Sequence, residues 1–493
     1  MTLLSVQNLK FAYGSSDLYK DTSFTVSHGE RVGLIGGNGS GKSTLLKIIS
    51  GELTSDSGKV VFRKGLRIGL VPQFIPTNIL SQTIKEMVLD ELNVSRPGSN
   101  ILPYEVQMQL EMAGFNSSEF DTKVINLSGG WLNRLLLVRA LCSHPDIFLL
   151  DEPSNHMDTE SIRFLEEFLQ SLPNQAFVII SHDRELLDRC TERTLILRDK
   201  NIYDFNSSYS SARKKLLELD EAAEHLRSSQ WKEADRLRAS SKQLAHWAHV
   251  YGSKKLSSRA KNIERRATRI EQSIESKPFE IRRKVELSDS IEEARLILRI
   301  NELDLKYKIS GPSLAKISQM WLKRGDRVAL VGPNGCGKST LLRTIAVSTG
   351  EDASVRIHPK VSVGYYEQTL MQFESDFSLL KYLENNCPQE RTKLLGALAK
   401  AGFGPATWER KVKALSGGEK SRLAFLIFRL NKPDLLILDE PTNHMDVFGI
   451  EQLENELLKR DVSVLFVSHD RRFIANVGTR VFVFNNKKVI ENY

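Results

Sequence analysis

The chain has 493 residues, 41% of them hydrophobic and 26% charged, which excludes a disordered or fibrous polymer and leaves room for two or three compact units. Lys and Arg total 69 against 61 Asp and Glu, a formal +8 that is too mild over this length to imply a nucleic-acid partner unaided. No run approaches the roughly 20 apolar residues of a membrane helix, no secretory signal follows Met1, and the four scattered cysteines show no metal-ligand spacing, so we expect a cytoplasmic chain with free thiols and no structural metal.

The first element is a strand-like run, LLSVQNLKFAY, that ends near Tyr13. RVGLIG then reads as a short buried strand leading into Gly36, Asn38, Gly39, Gly41, Lys42, Ser43 and Thr44, from which TLLKIIS continues as an apolar-striped helix. The loop fits G-x-x-x-x-G-K-[ST]: its glycines let backbone N–H groups wrap phosphates, and the helix N-terminus adds its positive end. Lys42 is expected to reach the β- and γ-phosphates and Ser43 to ligate Mg²⁺. Gln73 follows a second strand, and LSGG spans Leu127 to Gly130. IFLLDE is a fully apolar strand ending in Asp151 and Glu152. From that position Asp151 would hold Mg²⁺ or its waters, and Glu152, pointing the opposite way from its strand neighbour, would polarise the attacking water. FVIISHD follows as another such strand, with His182 just beyond it.

A glycine-rich turn or a DE pair alone is usually only a turn or a solvated strand end. Here the whole series recurs in order after about 290 residues. GPNGCGKSTLL carries Gly332, Asn334, Gly335, Gly337, Lys338, Ser339 and Thr340. Gln368, the LSGG of Leu415 to Gly418, Asp439, Glu440 and His469 follow. TLILRDKNIYDFN (Thr194 to Asn206) matches VFVFNNKKVIENY (Val481 to Tyr493), so the second copy is expected to end with the chain, and neither copy has room for a large inserted subdomain. The expected organisation is one copy at 1–206, a linker at 207–295 and a second copy at 296–493. Strands alternating with helices predict an α/β fold with a mainly parallel sheet in each copy.

Between the copies, Leu216, Leu219, Ala223, Leu226, Gln230, Glu233, Leu237, Ser240, Leu244 and Trp247 follow a 3–4 spacing that predicts an amphipathic helix of about 40 residues. HVYGSKKLSS (His249 to Ser258) is read as the turn, and Ile263, Ala267, Ile270 and Ile274 continue the spacing in a second helix until Pro278. The simplest arrangement is an antiparallel hairpin. Lys242, Lys254, Lys255, Arg259, Lys261, Arg265, Arg266 and Arg269 surround the turn with Glu264 the one acid among them. Trp247 and Tyr251 add stacking surfaces, the combination expected for a phosphate-backbone partner, although such a run can also be a solvated coiled coil.

Together the P-loop, the glutamine, LSGG, DE and the histidine resemble the nucleotide-binding domains of the ABC superfamily, in both halves. The resemblance implies two composite ATP sites: Ser128, Gly129 and Gly130 would bind the γ-phosphate held by the second P-loop, and Ser416, Gly417 and Gly418 that held by the first. Gln73 and Gln368 match the glutamine that senses Mg²⁺ and water, His182 and His469 the histidine that contacts the γ-phosphate, and Tyr13 and Tyr307 the aromatic residue that stacks on adenine. The first signature departs from the pattern with Trp131 where the second has Glu419, for which altered packing rather than a dead site is expected.

Two cassettes in one chain, no membrane segment and a basic linker resemble the ABC-F family. Its members bind the ribosomal exit site and point the linker at transfer RNA and the peptidyl-transferase centre. The resemblance implies ATP hydrolysis, a ribosomal RNA and peptidyl-tRNA partner, and a monomer whose cassettes pair within the chain. The compact form looks more like the antibiotic-resistance members than the larger housekeeping ones. A transporter ATPase shares every nucleotide motif but offers no reason for the long basic hairpin. A DNA-associated ATPase is the other alternative, though such relatives usually carry a C-terminal coil.

Overall fold

The computed structural model describes the chain except residues 15, 99–100, 156, 173, 274–295, 307–311, 349–353, 444, 460–461, 486 and 493. Ile274, Pro278 and Tyr307 therefore lie outside the described residues.

In the first copy, six strands are ordered Ile68–Val71, Ile147–Asp151, Ala176–Ile180, Arg31–Gly36, Arg193–Arg198 and Asn201–Phe205. All neighbours are parallel except the last pair, an antiparallel hairpin. Every residue of Ile147–Asp151 and Ala176–Ile180 is buried, as expected for parallel strands covered on both faces. A separate antiparallel sheet pairs Thr2–Tyr13 with Ser16–Ser27 and Ser57–Phe62, an element the sequence reading did not resolve.

The second copy repeats the order with Val363–Tyr366, Leu435–Asp439, Ser463–Val467, Arg327–Val331, Arg480–Asn485 and Lys488–Asn492. Its antiparallel strands Leu296–Lys306, Ser313–Lys323 and Val355–Ile357 join the same sheet through the parallel pairing of Lys316 with Lys488. In both copies the loops that matter here lie at the carboxyl ends of parallel strands, where open α/β sheets place their ligand sites. The chain divides into two compact units, one holding both copies and ending its first segment at Tyr209, the other beginning at Ser210.

The second unit holds the helix Tyr209–Val250 from Ser210 onward, its first residue Tyr209 belonging to the first unit, and the helix Lys254–Ser273. They run antiparallel: Ser241 Oγ donates to Ala260 O at 2.9 Å, and Arg266 lies 3.4 Å from Glu233. The turn is tighter than read from sequence. Only Tyr251, Gly252 and Ser253 separate the helices, because Gly252 adopts a left-handed φ of 59° and Ser253 Oγ caps Leu256 N. Leu216 is buried and Leu237 and Leu244 half-buried as expected, but the fully buried positions of the seam beyond them lie one residue past the expected stripe. Ala234, Ser241 and Ala248 are buried, whereas Glu233, Ser240 and Trp247 face outward. Small side chains let the helices approach closely, which turns the bulky aromatic away from the seam. On the second helix Ala267 is buried with Ile263 and Ile270 partly so, as read.

Candidate active sites

Each P-loop is shaped by glycines no other residue could replace without strain. Gly41 and Gly337 have φ of 102° and 104° immediately before the helices Lys42–Ser50 and Lys338–Val347. The loop glycines Gly39 and Gly335 are likewise left-handed, and Asn38 and Asn334 sit between them and the strand-end glycines Gly36 and Gly332. Thr44 and Thr340 lie in the first helical turns. Lys42 Nζ donates to Gly36 O at 2.9 Å and Gly37 O at 3.2 Å, and Lys338 Nζ to Gly332 O at 2.7 Å and Pro333 O at 2.9 Å. Burial lowers the Lys42 pKa, with Glu152, Asp446 and Asp151 acting in the opposite direction.

Ser43 Oγ donates to Asp151 Oδ1 at 3.0 Å, and Ser339 Oγ to Asp439 Oδ1 at 3.0 Å. Burial pushes the Asp151 carboxyl up to about 6 and also raises Asp439. A buried carboxylate beside a hydroxyl at the phosphate end of a P-loop is an all-oxygen donor set that fits Mg²⁺. No cluster of three His, Cys, Asp or Glu metal ligands exists among the described residues. Gln73 is exposed past its strand and makes no hydrogen bond to the Ser43–Asp151 pair among the described residues. Gln368 is half-buried at the corresponding place.

Glu152 and Glu440 do not continue their strands. Each takes a left-handed φ, 52° and 48°, so a turn rather than strand alternation aims the carboxylate. Glu152 N donates to Ile180 O and Glu440 N to Val467 O, fixing both turns to the strand that precedes the histidine. Glu152 Oε2 is buried without a partner among the described residues, an acceptor that a water molecule would satisfy. Tyr13 is 58% exposed at the end of its strand, braced edge-on by Phe11, and so presents a free aromatic face.

The contacts that bring the two copies together were not read from sequence. Asn38 N–H of the first P-loop donates to Asp446 Oδ2 of the second copy at 2.8 Å, and Asp158 accepts a backbone hydrogen bond from Asn334. Arg184 donates to both carboxylate oxygens of Glu454, and Arg471 pairs with Glu166. The helix Val447–Lys459 is thus gripped by the first copy at Asp446 and Glu454, and Thr159–Ser171 by the second at Asp158 and Glu166. Asp158 and Asp446 stand in the repeated NHMD, and both glutamates recur at the same offset as LSGG, a signal available in the repeat itself. Ser128 and Ser416 make no hydrogen bond to the opposite copy among the described residues.

Residues 19–155 and 315–443 match the family model described as ABC transporter. The chain is 30% identical to ABC transporter F family member 5 of Arabidopsis thaliana, across 97% of this chain and 74% of the relative. The chain belongs to the ABC-F family. It is also 31% identical to the ATP-binding protein Uup of Haemophilus influenzae, over 100% of this chain and 80% of that one. A third relative, the ribosome protection protein VmlR of Bacillus subtilis, is 27% identical over 99% and 87% of the two chains. This ABC-F chain is an ATPase with two tandem cassettes, and no helix among its described residues is long and apolar enough to cross a membrane.

The two sites of this ABC-F protein are chemically alike but electrostatically different. His182 Nε2 lies 2.9 Å from Glu152 Oε1. Burial opposes ionisation of Glu152, but His182 and Lys42 outweigh it and hold the carboxyl below its usual range. His469 Nε2 is 3.2 Å from Glu440 Oε1 without hydrogen-bond alignment. Burial there pushes Glu440 up to about 8 and His469 down to about 4. The signatures differ too. Ser416 is held in a capping box by Glu419, whereas Trp131 packs on Phe115 with ring centroids 4.9 Å apart and covers Arg134 at 4.7 Å. The Ser128 side chain makes no capping bond.

Proposed function

We propose that this ABC-F ATPase acts on the ribosome in the cytoplasm, as a monomer that seats its basic hairpin against ribosomal RNA and transfer RNA when ATP closes the cassettes, and leaves after hydrolysis. One observation carries the reading: Lys242, Trp247, Tyr251, Lys254, Lys255, Arg259, Lys261, Arg265, Arg266 and Arg269 are all exposed around the hairpin turn. A solvated coiled coil gains nothing from outward aromatics, whereas a nucleic-acid surface uses cations for phosphates and rings for bases. The relative named as a ribosome protection protein supports the same partner. On this reading residues 1–206 and 296–493 are the two motors and 207–295 the effector.

Within each site, Lys42 or Lys338 exchanges its loop carbonyls for β- and γ-phosphate oxygens, and the loop N–H groups take the rest. Ser43, Asp151 and Gln73 would hold Mg²⁺ at the first site, and Ser339, Asp439 and Gln368 at the second. The cation, when bound, neutralises phosphate charge as the bond to the leaving group breaks. Glu152 or Glu440 accepts a proton from the attacking water; the His182 ring steadies Glu152, the His469 backbone N–H donates to Glu440 at 3.3 Å, and each histidine ring faces the γ-phosphate. Asp446 and Asp158 each fix one P-loop backbone from the other cassette, so that each site is complete only when the halves meet.

Cosedimentation with ribosomes tests the proposal. Glu152→Gln with Glu440→Gln is expected to remain on ribosomes in ATP and to leave in ADP. Association with membranes, or with naked DNA and not ribosomes, would sink it.

A further inference from the structure

The helix Val447–Lys459 makes a third contact that has no counterpart on Thr159–Ser171 among the described residues. Tyr209 Oη donates to Glu451 Oε1 at 2.6 Å. Tyr209 is the first residue of the helix Tyr209–Val250, and it is 2% exposed. Its phenol also contributes to the electrostatic surroundings of Arg184, the residue that grips Glu454 on the same helix. In chain order the helix therefore meets the first P-loop at Asp446, the root of the linker helix at Glu451 and the segment after His182 at Glu454. Thr159–Ser171 has Asp158 and Glu166 in the matching places, but Arg163 where Glu451 would stand.

We infer that the Tyr209–Glu451 hydrogen bond makes Val447–Lys459 the connection through which the first ATP site, and not the second, sets the position of the linker helix. The inference rests on the proposal that ATP moves the hairpin. A helix carries displacement along its axis with little loss, since each turn is tied to the next by hydrogen bonds about 5.4 Å apart along it. Asp446 and Glu451 are little more than one turn apart, so a shift at the P-loop contact arrives at Glu451 nearly intact. A part-buried hydroxyl-to-carboxylate bond is charge-assisted and so among the stronger side-chain contacts, strong enough to carry Tyr209 with it. From Tyr209 the helix continues unbroken for 42 residues. Changes at interfaces of this kind are stepwise rather than graded, because packed side chains have few alternative arrangements.

The test uses the full chain with fluorophores at Ser258 near the turn and Glu409 in the second cassette, both exposed. Addition of ATP is expected to change energy transfer in the parent and in Lys338→Ala, and not in Lys42→Ala. Tyr209→Phe is expected to keep ATP turnover within about twofold yet reduce the change to roughly one third or less, and Glu451→Gln, which keeps an acceptor, to retain about half or more of it. A full change in Tyr209→Phe, or equal losses in Lys42→Ala and Lys338→Ala, overturns the inference. Absence of any change in the parent overturns it together with ATP-driven hairpin motion. Ribosome cosedimentation reports separately on the partner, so the two failures are distinguishable.

Discussion

Arg184 and Glu454 face each other across the boundary between the cassettes, both buried, with the guanidinium donating to both carboxylate oxygens and one bond at 3.0 Å. Arg184 also lies 3.3 Å from the buried Asp470 side chain, so truncating Arg184 strands two buried carboxylates without their cation, which costs about 3–5 kcal/mol. Arg184→Ala is expected to destabilise the protein by that amount in urea unfolding, whereas Arg184→Met with Glu454→Leu, which removes both charges, loses less than half of it. A loss below about 1 kcal/mol for the alanine variant would show that the boundary is held by something else.

Replacing both Glu152 and Glu440 by Gln removes the carboxylate proposed above as proton acceptor in each site. Steady-state ATP turnover is expected to fall by about 10²-fold or more, the usual worth of a general base, while nucleotide binding persists. Either single variant should keep measurable turnover from the other site. Unchanged turnover in the double variant would displace the base to another residue.

Asp183 caps the helix Arg184–Cys190 and lies among Asp470 and Arg471. Burial is the largest influence and raises its carboxyl from 3.8 to about 6. As pH rises from 3.8, the unfolded chain releases this proton before the folded one does. Stability from this group is therefore greatest below that range, falls up to about pH 6, and stays lower above. Asp183→Asn lacks the titration, so it is expected to gain on the parent by about 1.4 kcal/mol per pH unit across that window. Thermal melts at pH 4, 5, 6 and 7 check it: a constant difference between the two chains refutes the assignment.

Trp131→Glu trades the Phe115 and Arg134 contacts for the capping box seen at Ser416. The lost ring contacts are worth about 1–2 kcal/mol and the cap returns about 1, so a small fall in melting temperature with turnover within about threefold is expected. Loss of turnover at the second P-loop, measured with Glu152→Gln in the background, would instead make Trp131 part of the machinery.

Replacing Lys254, Lys255, Arg259 and Lys261 by Ala removes cations from the hairpin turn. Binding to ribosomal RNA is expected to weaken and its logarithmic salt slope to flatten by about 2–3, since each phosphate contact contributes about 0.7 on single strands. A slope unaltered by the substitutions would mean that these residues do not meet phosphates.

The nucleotide loops were legible because their chemistry is local. Backbone wrapping, the lysine and the strand-end acids are specified within a few residues, and the structure sets Ser43 against Asp151 and Ser339 against Asp439. What was missed depends on partners far apart in the chain. Arg184–Glu454, Arg471–Glu166 and the Asp446 contact to Asn38 join residues of different repeats, and no local pattern marks them. The hairpin was read correctly as two helices, and Leu216, Leu237 and Leu244 of the expected stripe are buried or half-buried, but the same hydrophobic spacing also placed Glu233, Ser240 and Trp247 on the seam. Ala234, Ser241 and Ala248 won because close backbone approach favours the smallest side chains over the most apolar ones. Glu152 escaped in another way: its direction comes from a left-handed turn that strand periodicity does not predict.

The seam of Ala234, Ser241, Ala248, Ala260 and Ala267 bears on how the hairpin handles load. Long side chains can yield by swapping rotamers, while methyl and hydroxymethyl groups have no such slack. Two rods bolted this closely bend only by parting their backbones, so a push felt at the far end reaches the near end undamped.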